Sequence, residues 1–215
     1  VAVFNPGSQG SAVNCAGFVP FTMFAKKDGS FGYEMEIITY PGSGIKKVED
    51  IKGHKLAFTT PTSNSGFKAP SAILKAEFGM IAGRDFETVF SGRHPNSVLG
   101  VINKEYEAAA VGDIIISRMA SRNLINEKDI ITIYESQTFP YGGKGYVHNL
   151  HPDLAQKVRE AFFTFEWDKP DGTPTSLKVE FEKSNQGKFI PITYKEHFEV
   201  IRMIDKANGV SYDCK

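Results

Sequence analysis

The residues best suited to chemistry sit in short polar loops. The densest is Thr59-Thr60-Pro61-Thr62-Ser63-Asn64-Ser65-Gly66, with five hydroxyl side chains and one amide between an apolar run and a helical pattern. Ser and Asn are good helix N-caps, but one cap needs only one such residue. Hydroxyls combined with free backbone N–H groups at a helix start favour an anion. Thr62, Ser63, Asn64 and Ser65 are therefore candidate anion ligands. The loop Ser91-Gly92-Arg93-His94-Pro95-Asn96-Ser97 adds His94, whose charge is pH-dependent near neutrality. It also offers Arg93, whose guanidinium can grip an oxyanion through two parallel hydrogen bonds. Simple surface exposure is the competing reading of His94. In Val111-Gly112-Asp113, glycine permits close backbone approach, and Asp113 either caps the next helix or accepts a hydrogen bond from a protonated ligand. Phe4-Asn5-Pro6-Gly7-Ser8 supplies an aromatic wall with Asn and Ser donors, or is an ordinary capped turn.

Other chemistry is poorly supported. No phosphate-cradling Walker loop, His-Glu-x-x-His, Gly-x-Ser-x-Gly or dinucleotide fingerprint occurs. His148 and His151 have no metal-like partner and read as a solvated turn. Trp167, Phe162, Phe163 and Phe165 read as core. No metal or cofactor is expected. Cys15 and Cys214 fit no zinc or redox spacing. Either one is a buried thiol and the other frays near the C-terminus, or they form a long-range disulfide, which implies an oxidising compartment.

Elements able to position these loops alternate along the chain. Strand patterns fall at Val1–Asn5, Glu34–Tyr40, Lys55–Thr59, Phe86–Ser91, Ala108–Val111, Ile130–Tyr134 and Gly145–His148. Helical patterns fall at Ser11–Gly17, Val48–Gly53, Phe67–Phe78, Val98–Lys104, Ile114–Ser121, Leu154–Phe165 and Glu196–Asn208. This alternation predicts an α/β fold with mainly parallel sheets. In such sheets ligands sit beyond the carboxyl ends of the strands, where the polar loops fall.

Composition narrows the field. The 215 residues suit one large or two small domains. Lys plus Arg number 25 and Asp plus Glu number 25, so the basic excess of a general nucleic-acid binder is missing. No apolar run approaches the ~20 residues of a membrane-spanning helix. The chain opens inside a strand pattern, which suggests preceding sequence.

These loops, in order, resemble those of the periplasmic phosphate/phosphite/phosphonate-binding proteins of ABC importers. Ser43-Gly44-Ile45-Lys46 with Val48-Glu49-Asp50-Ile51-Lys52-Gly53 is similar to the family's approach to its second lobe. Pro61-Thr62-Ser63-Asn64-Ser65-Gly66-Phe67 is similar to its oxyanion loop, and Phe90-Ser91-Gly92-Arg93-His94 with Ser97 to its histidine loop. Glu135-Ser136 through Phe139-Pro140 resembles the crossing back to the first lobe. Phe189-Ile190-Pro191-Ile192-Thr193 and His197–Arg202 also fit. The resemblance covers essentially the whole chain.

It implies a two-lobed type II periplasmic-binding fold with a hinge, the first lobe at 1–38 plus 148–215 and the second at 39–147. It implies a small phosphorus oxyanion held between the lobes and handed to a membrane permease by a monomeric, non-enzymatic protein. The location would be periplasmic or extracellular, with anchoring through preceding residues. An enzyme or a sensor module on the same fold is the alternative. By position, Ser63, Asn64, Ser65 and His94 would hold the phosphoryl or phosphonyl oxygens. Phe4 stands where the family often has an aromatic hydroxyl. Members that bind aminoalkyl phosphonates place carboxylates against the ammonium. Here Gly142-Gly143 occupies one acidic position, and the other falls at Asp113 or Ile114. The crossing otherwise offers backbone carbonyls and the Tyr141 hydroxyl, with Lys144 beside it. The family further implies two β–α units of roughly 30–40 residues each before Val1.

Overall fold

Proline and glycine set many of the element ends. Helix α1, Pro6–Ala16, starts on a proline whose missing N–H would be unpaired anyway. Its N-cap Asn5 accepts the Ser8 N–H at 3.0 Å, and it stops at Gly17 with φ 61°. Helix α2, Ala69–Phe78, stops likewise at Gly79 with φ 63°. The computed structural model describes residues 1–183, 185–212 and 214.

Two compact units divide the chain: Val1–Gly32 with Pro140–Arg202 and Ser211–Lys215, and Tyr33–Phe139 with Met203–Val210. The divisions along the chain fall at 32/33, 139/140, 202/203 and 210/211. Tyr33 and Phe139 exchange backbone hydrogen bonds of 3.0 and 2.8 Å and are both buried, which ties each to the second unit.

The first unit carries β1 (Ala2–Val3), β2 (Phe18–Ala25), β8 (Lys144–Val147) and β9 (Lys188–Pro191), ordered β1-β8-β2-β9. The second carries β3 (Met35–Thr39), β4 (Lys55–Phe58), β5 (Glu87–Phe90), β6 (Ala108–Gly112) and β7 (Ile131–Glu135), ordered β5-β4-β6-β3-β7. Helices α3 (His94–Ile102) and α4 (Asp113–Ser121) follow β5 and β6. The first unit also holds α5 (Pro152–Phe163), α6 (Ser176–Glu182) and α7 (Tyr194–His197), and α8 spans Glu199–Ala207.

The α/β class stands, but the expectation of mainly parallel pairing is corrected. Among the described strand-to-strand ladders only β4–β5 and β4–β6 are parallel. The crossover through α1 leaves β1 and β2 pointing the same way, yet β8 lies between them running oppositely. In the second unit β3 and β7 also run against their neighbours. The parallel set is therefore β5-β4-β6, the three strands joined by helical crossovers.

Strand β2 is absent from the sequence-based elements. Its Phe18-Val19-Pro20-Phe21-Thr22-Met23-Phe24-Ala25 is mostly buried, so it shows no alternation. Pro20 would argue against a strand, but it sits at a register shift against β8, where a ladder hydrogen bond is dispensable. The second unit's core gathers Ile38, Ala57, Val98, Val101, Val111 and Ile116 between sheet and helices. In the first unit Phe162, Phe165 and Trp167 pack around Phe189, but all four are only half-buried, and Phe163, also expected in the core, is 39% exposed. Lys144 is buried there, its Nζ 3.5 Å from the Phe24 ring centroid, and burial pushes its ammonium down to about 8.

Cys15 and Cys214 form a disulfide, with Cα atoms 5.0 Å apart, which removes the reading of two free thiols. It ties Cys214 to α1 across 199 residues. Under non-reducing conditions mass spectrometry should find both cysteines blocked to alkylation. Cys15→Ser should lower unfolding stability by about 2–4 kcal/mol. Two alkylatable thiols in the oxidised protein would contradict the pairing.

Candidate functional site

Three adjacent parallel strands, β5-β4-β6, release their loops at the same end of the sheet. Phe58 of β4 stands in register with Phe90 of β5, and Ala57 with Ala109 of β6. The Ser91 N–H donates to the Phe58 carbonyl at 2.8 Å and the Gly92 N–H to the Thr59 carbonyl at 3.0 Å, so the first two loops start fastened together.

The polar loop from β4 ends in a π turn, Asn64–Lys68, that leads into α2. Pro70 has no N–H to offer Gly66 four residues back, and the Gly66 carbonyl accepts the Thr59 N–H at 2.9 Å instead. That bond closes the loop at its base. Position 66 must be glycine, because a Cβ there would collide with the Thr59 hydroxyl and lie 2.8 Å from the Ser63 Oγ. Single π turns are rare and recur at functional sites.

The side chains then converge. Ser63 caps the turn, its Oγ accepting the Gly66 N–H at 3.1 Å, and lies 3.3 Å from His94 Nε2. On the far side of the ring, His94 Nδ1 accepts the Gly112 N–H at 3.3 Å. A nitrogen that accepts a hydrogen bond carries no proton, so Nε2 holds it and donates to Ser63. Burial lowers His94 to about 4, which keeps the ring neutral at pH 7. With both Ser63 lone pairs engaged, its hydroxyl proton is left for an outside acceptor. Asn64 is buried and its Nδ2 donates to the Tyr33 hydroxyl at 3.2 Å. Ser65 is buried, and its Oγ is 3.3 Å from where a Cβ on Gly112 would stand.

Asp113 opens α4 beside this group, and its Oδ1 accepts the Glu34 N–H at 3.0 Å. Burial, with smaller repulsion from Glu34 and Glu36, raises its carboxyl to about 6. Ser63, Asn64, Ser65, His94 and Asp113 are thus assembled within the second unit. Thr62 lies exposed in the bend before them, and Arg93 is exposed. Ser97 lies inside α3, and its hydroxyl pairs with that of Ser91 at 2.6 Å.

Phe4 and Tyr141 belong to the first unit. Phe4 extends the β1–β8 pairing through its N–H to the Gly143 carbonyl, 3.3 Å, and its ring meets Phe18 edge-on at 4.8 Å. Tyr141 is half-buried. A Cβ on Gly142 would run into the Phe4 carbonyl, and one on Gly143 would sit 2.8 Å from Gln9 Nε2. Gly142 therefore leaves no room for a carboxylate side chain. Tyr33 is the site residue that sequence reasoning missed; its only signal was Gly32-Tyr33 ahead of an apolar strand.

The family described as the phosphonate ABC transporter periplasmic substrate-binding proteins matches residues 1–197. The chain belongs to this family. Among individual members, the phosphate-import protein PhnD of Mycolicibacterium smegmatis is 25% identical over 174 residues. That match takes in 75% of the chain and 54% of the relative, so the chain spans about half the relative's length. A binding-protein component of a Pseudomonas aeruginosa ABC phosphonate transporter superposes with a TM-score of 0.81 at 20% identity, over 95% of this chain and 67% of that one. The PhnD1 protein of Prochlorococcus marinus, solved with methylphosphonate, superposes with a TM-score of 0.77 at 13% identity, over 95% and 77%. These likenesses establish the periplasmic-binding-protein fold.

If the cluster is the anion site, Ser63→Ala removes both the acceptor for His94 and the outward hydroxyl. Anion affinity should weaken by about 1–3 kcal/mol, the usual consequence of a lost buried polar partner. Isothermal titration reads this directly, and an unchanged affinity would take the loop out of the site.

Proposed function

We propose that the chain captures a small phosphorus oxyanion, such as phosphite, phosphate or methylphosphonate, for an ABC importer. The observation that carries the reading is a set of neutral donors at the carboxyl ends of β5-β4-β6. The Ser63 hydroxyl is freed by two incoming hydrogen bonds, and neutral His94 holds it in place. Neutral donors stabilise an anion without a countercharge, and each leaves a penalty for a ligand that lacks the matching oxygen. Family membership and relatives named for phosphate import and for a methylphosphonate complex support the same ligand class. Capture between two lobes about a hinge, delivery to a membrane permease, a periplasmic or extracellular location, membrane anchoring, and action as a monomer without nucleic acid complete the proposal.

The enzyme alternative would use Ser63 as nucleophile and His94 as base. A base must present an unprotonated nitrogen to the serine. The Gly112 N–H occupies the unprotonated Nδ1, so the protonated nitrogen faces Ser63. This tautomer favours holding an anion over attacking one.

A buried ammonium on the ligand would need a carboxylate. Gly142 excludes one at its own position, and one oxygen of Asp113 is engaged by the Glu34 backbone. Competitive titration of phosphate, phosphite and methylphosphonate against 2-aminoethylphosphonate should show at least about tenfold preference for an anion without an amino group, roughly 1.4 kcal/mol. Equal or tighter aminophosphonate binding would overturn that preference, and binding of none of the four would overturn the function.

A further inference from the structure

We infer that Met203–Val210 is a brace that sets the geometry of the π turn, with Asp205 and Asn208 as positioning residues for the anion site. The inference rests on the oxyanion reading above. Lys68 closes the turn, and its N–H donates to the Ser63 carbonyl at 3.0 Å, so any shift of Lys68 is passed to Ser63. Lys68 is gripped from a segment far along the chain. Its Nζ lies 2.7 Å from Asp205 Oδ1, with side-chain exposures of 11% and 2%, across 137 residues. Asn208 Nδ2 donates to the Lys68 carbonyl at 2.8 Å. One segment therefore holds both the head group and the backbone of the residue that ends the turn.

Stability alone gives little reason for such a pair. A buried ion pair seldom adds more than an apolar pair of similar volume, and its best-attested use is fixing register. Register matters here because the π turn is an uncommon conformation. The Ser63 hydroxyl is useful only where His94 and Gly66 both reach it. Asp205 has a second effect. It neutralises the one cation of the turn, Lys68, and the other side chains of the turn are uncharged.

Asp205→Asn keeps the shape and removes the charge; Asn208→Ala changes no charge and serves if the first variant fails to fold. Both are titrated with phosphate and with methylphosphonate at a temperature where circular dichroism shows the protein fully folded. There, a residue that only stabilised the fold would leave affinity unchanged. The brace predicts that Asp205→Asn weakens binding at least about tenfold and Asn208→Ala by about threefold, in line with charged and neutral hydrogen bonds. Hydrogen exchange without ligand supplies the independent arm. The amides of Ser65, Gly66, Phe67 and Lys68 should exchange faster in both variants, with β4 and β6 unaffected. Unchanged or tighter anion binding in a folded variant, or exchange that is unaltered or raised evenly through the second unit, overturns the brace. If the parent protein binds neither anion, the oxyanion reading fails, and the exchange arm alone decides whether the segment braces the turn.

Discussion

A single backbone hydrogen bond orders the rest of the site: the Gly112 N–H donates to His94 Nδ1. It fixes which imidazole nitrogen carries the proton, and so turns the other toward Ser63 as a donor. Ser63 then has its lone pairs taken by His94 and by the Gly66 N–H, which leaves its proton for an outside acceptor. One bond between two loops thus decides whether the serine acts as a nucleophile awaiting a base or as a preset donor. The geometry gives the donor.

That bond exists because three parallel strands end together. Parallel pairing of β4 with β5 and β6 brings the loops at 59–66, 91–93 and 112–113 to one end of one sheet. The local chemistry of each loop follows from its sequence. Pro70 frees the Gly66 carbonyl to close the first loop, and glycine at 66 lets the Thr59 and Ser63 side chains approach the turn. The burial that makes His94 neutral also raises Asp113. Environment has placed a neutral donor and a reluctant carboxylate side by side, in the manner by which one fold sets several proton affinities at once.

Much of this is legible in the sequence. The hydroxyl-rich loop and the histidine loop stood out because each places too many polar groups where one cap would do. The elements around them followed from turn residues and periodicity. What was not legible depended on tertiary neighbours. Strand β2 carries no alternation because it is mostly buried, and its proline became tolerable only at a register shift. Strand direction in the first sheet depends on β8, which arrives more than a hundred residues after β1. Two cysteines 199 residues apart cannot announce a bond. Nothing local marks Tyr33, whose hydroxyl accepts from Asn64 Nδ2. Asp205 carries no signal in the sequence, because its partner Lys68 lies 137 residues away.

The central claim is that His94 is a neutral Nε2–H donor at working pH. Imidazole nitrogen-15 chemical shifts, followed through a pH titration with and without methylphosphonate, test it most directly. The account predicts the Nε2–H tautomer at pH 7 and a titration midpoint of about 4, well below the ordinary 6.5. A proton found on Nδ1, or a midpoint at or above the ordinary value in the ligand-free protein, would contradict it.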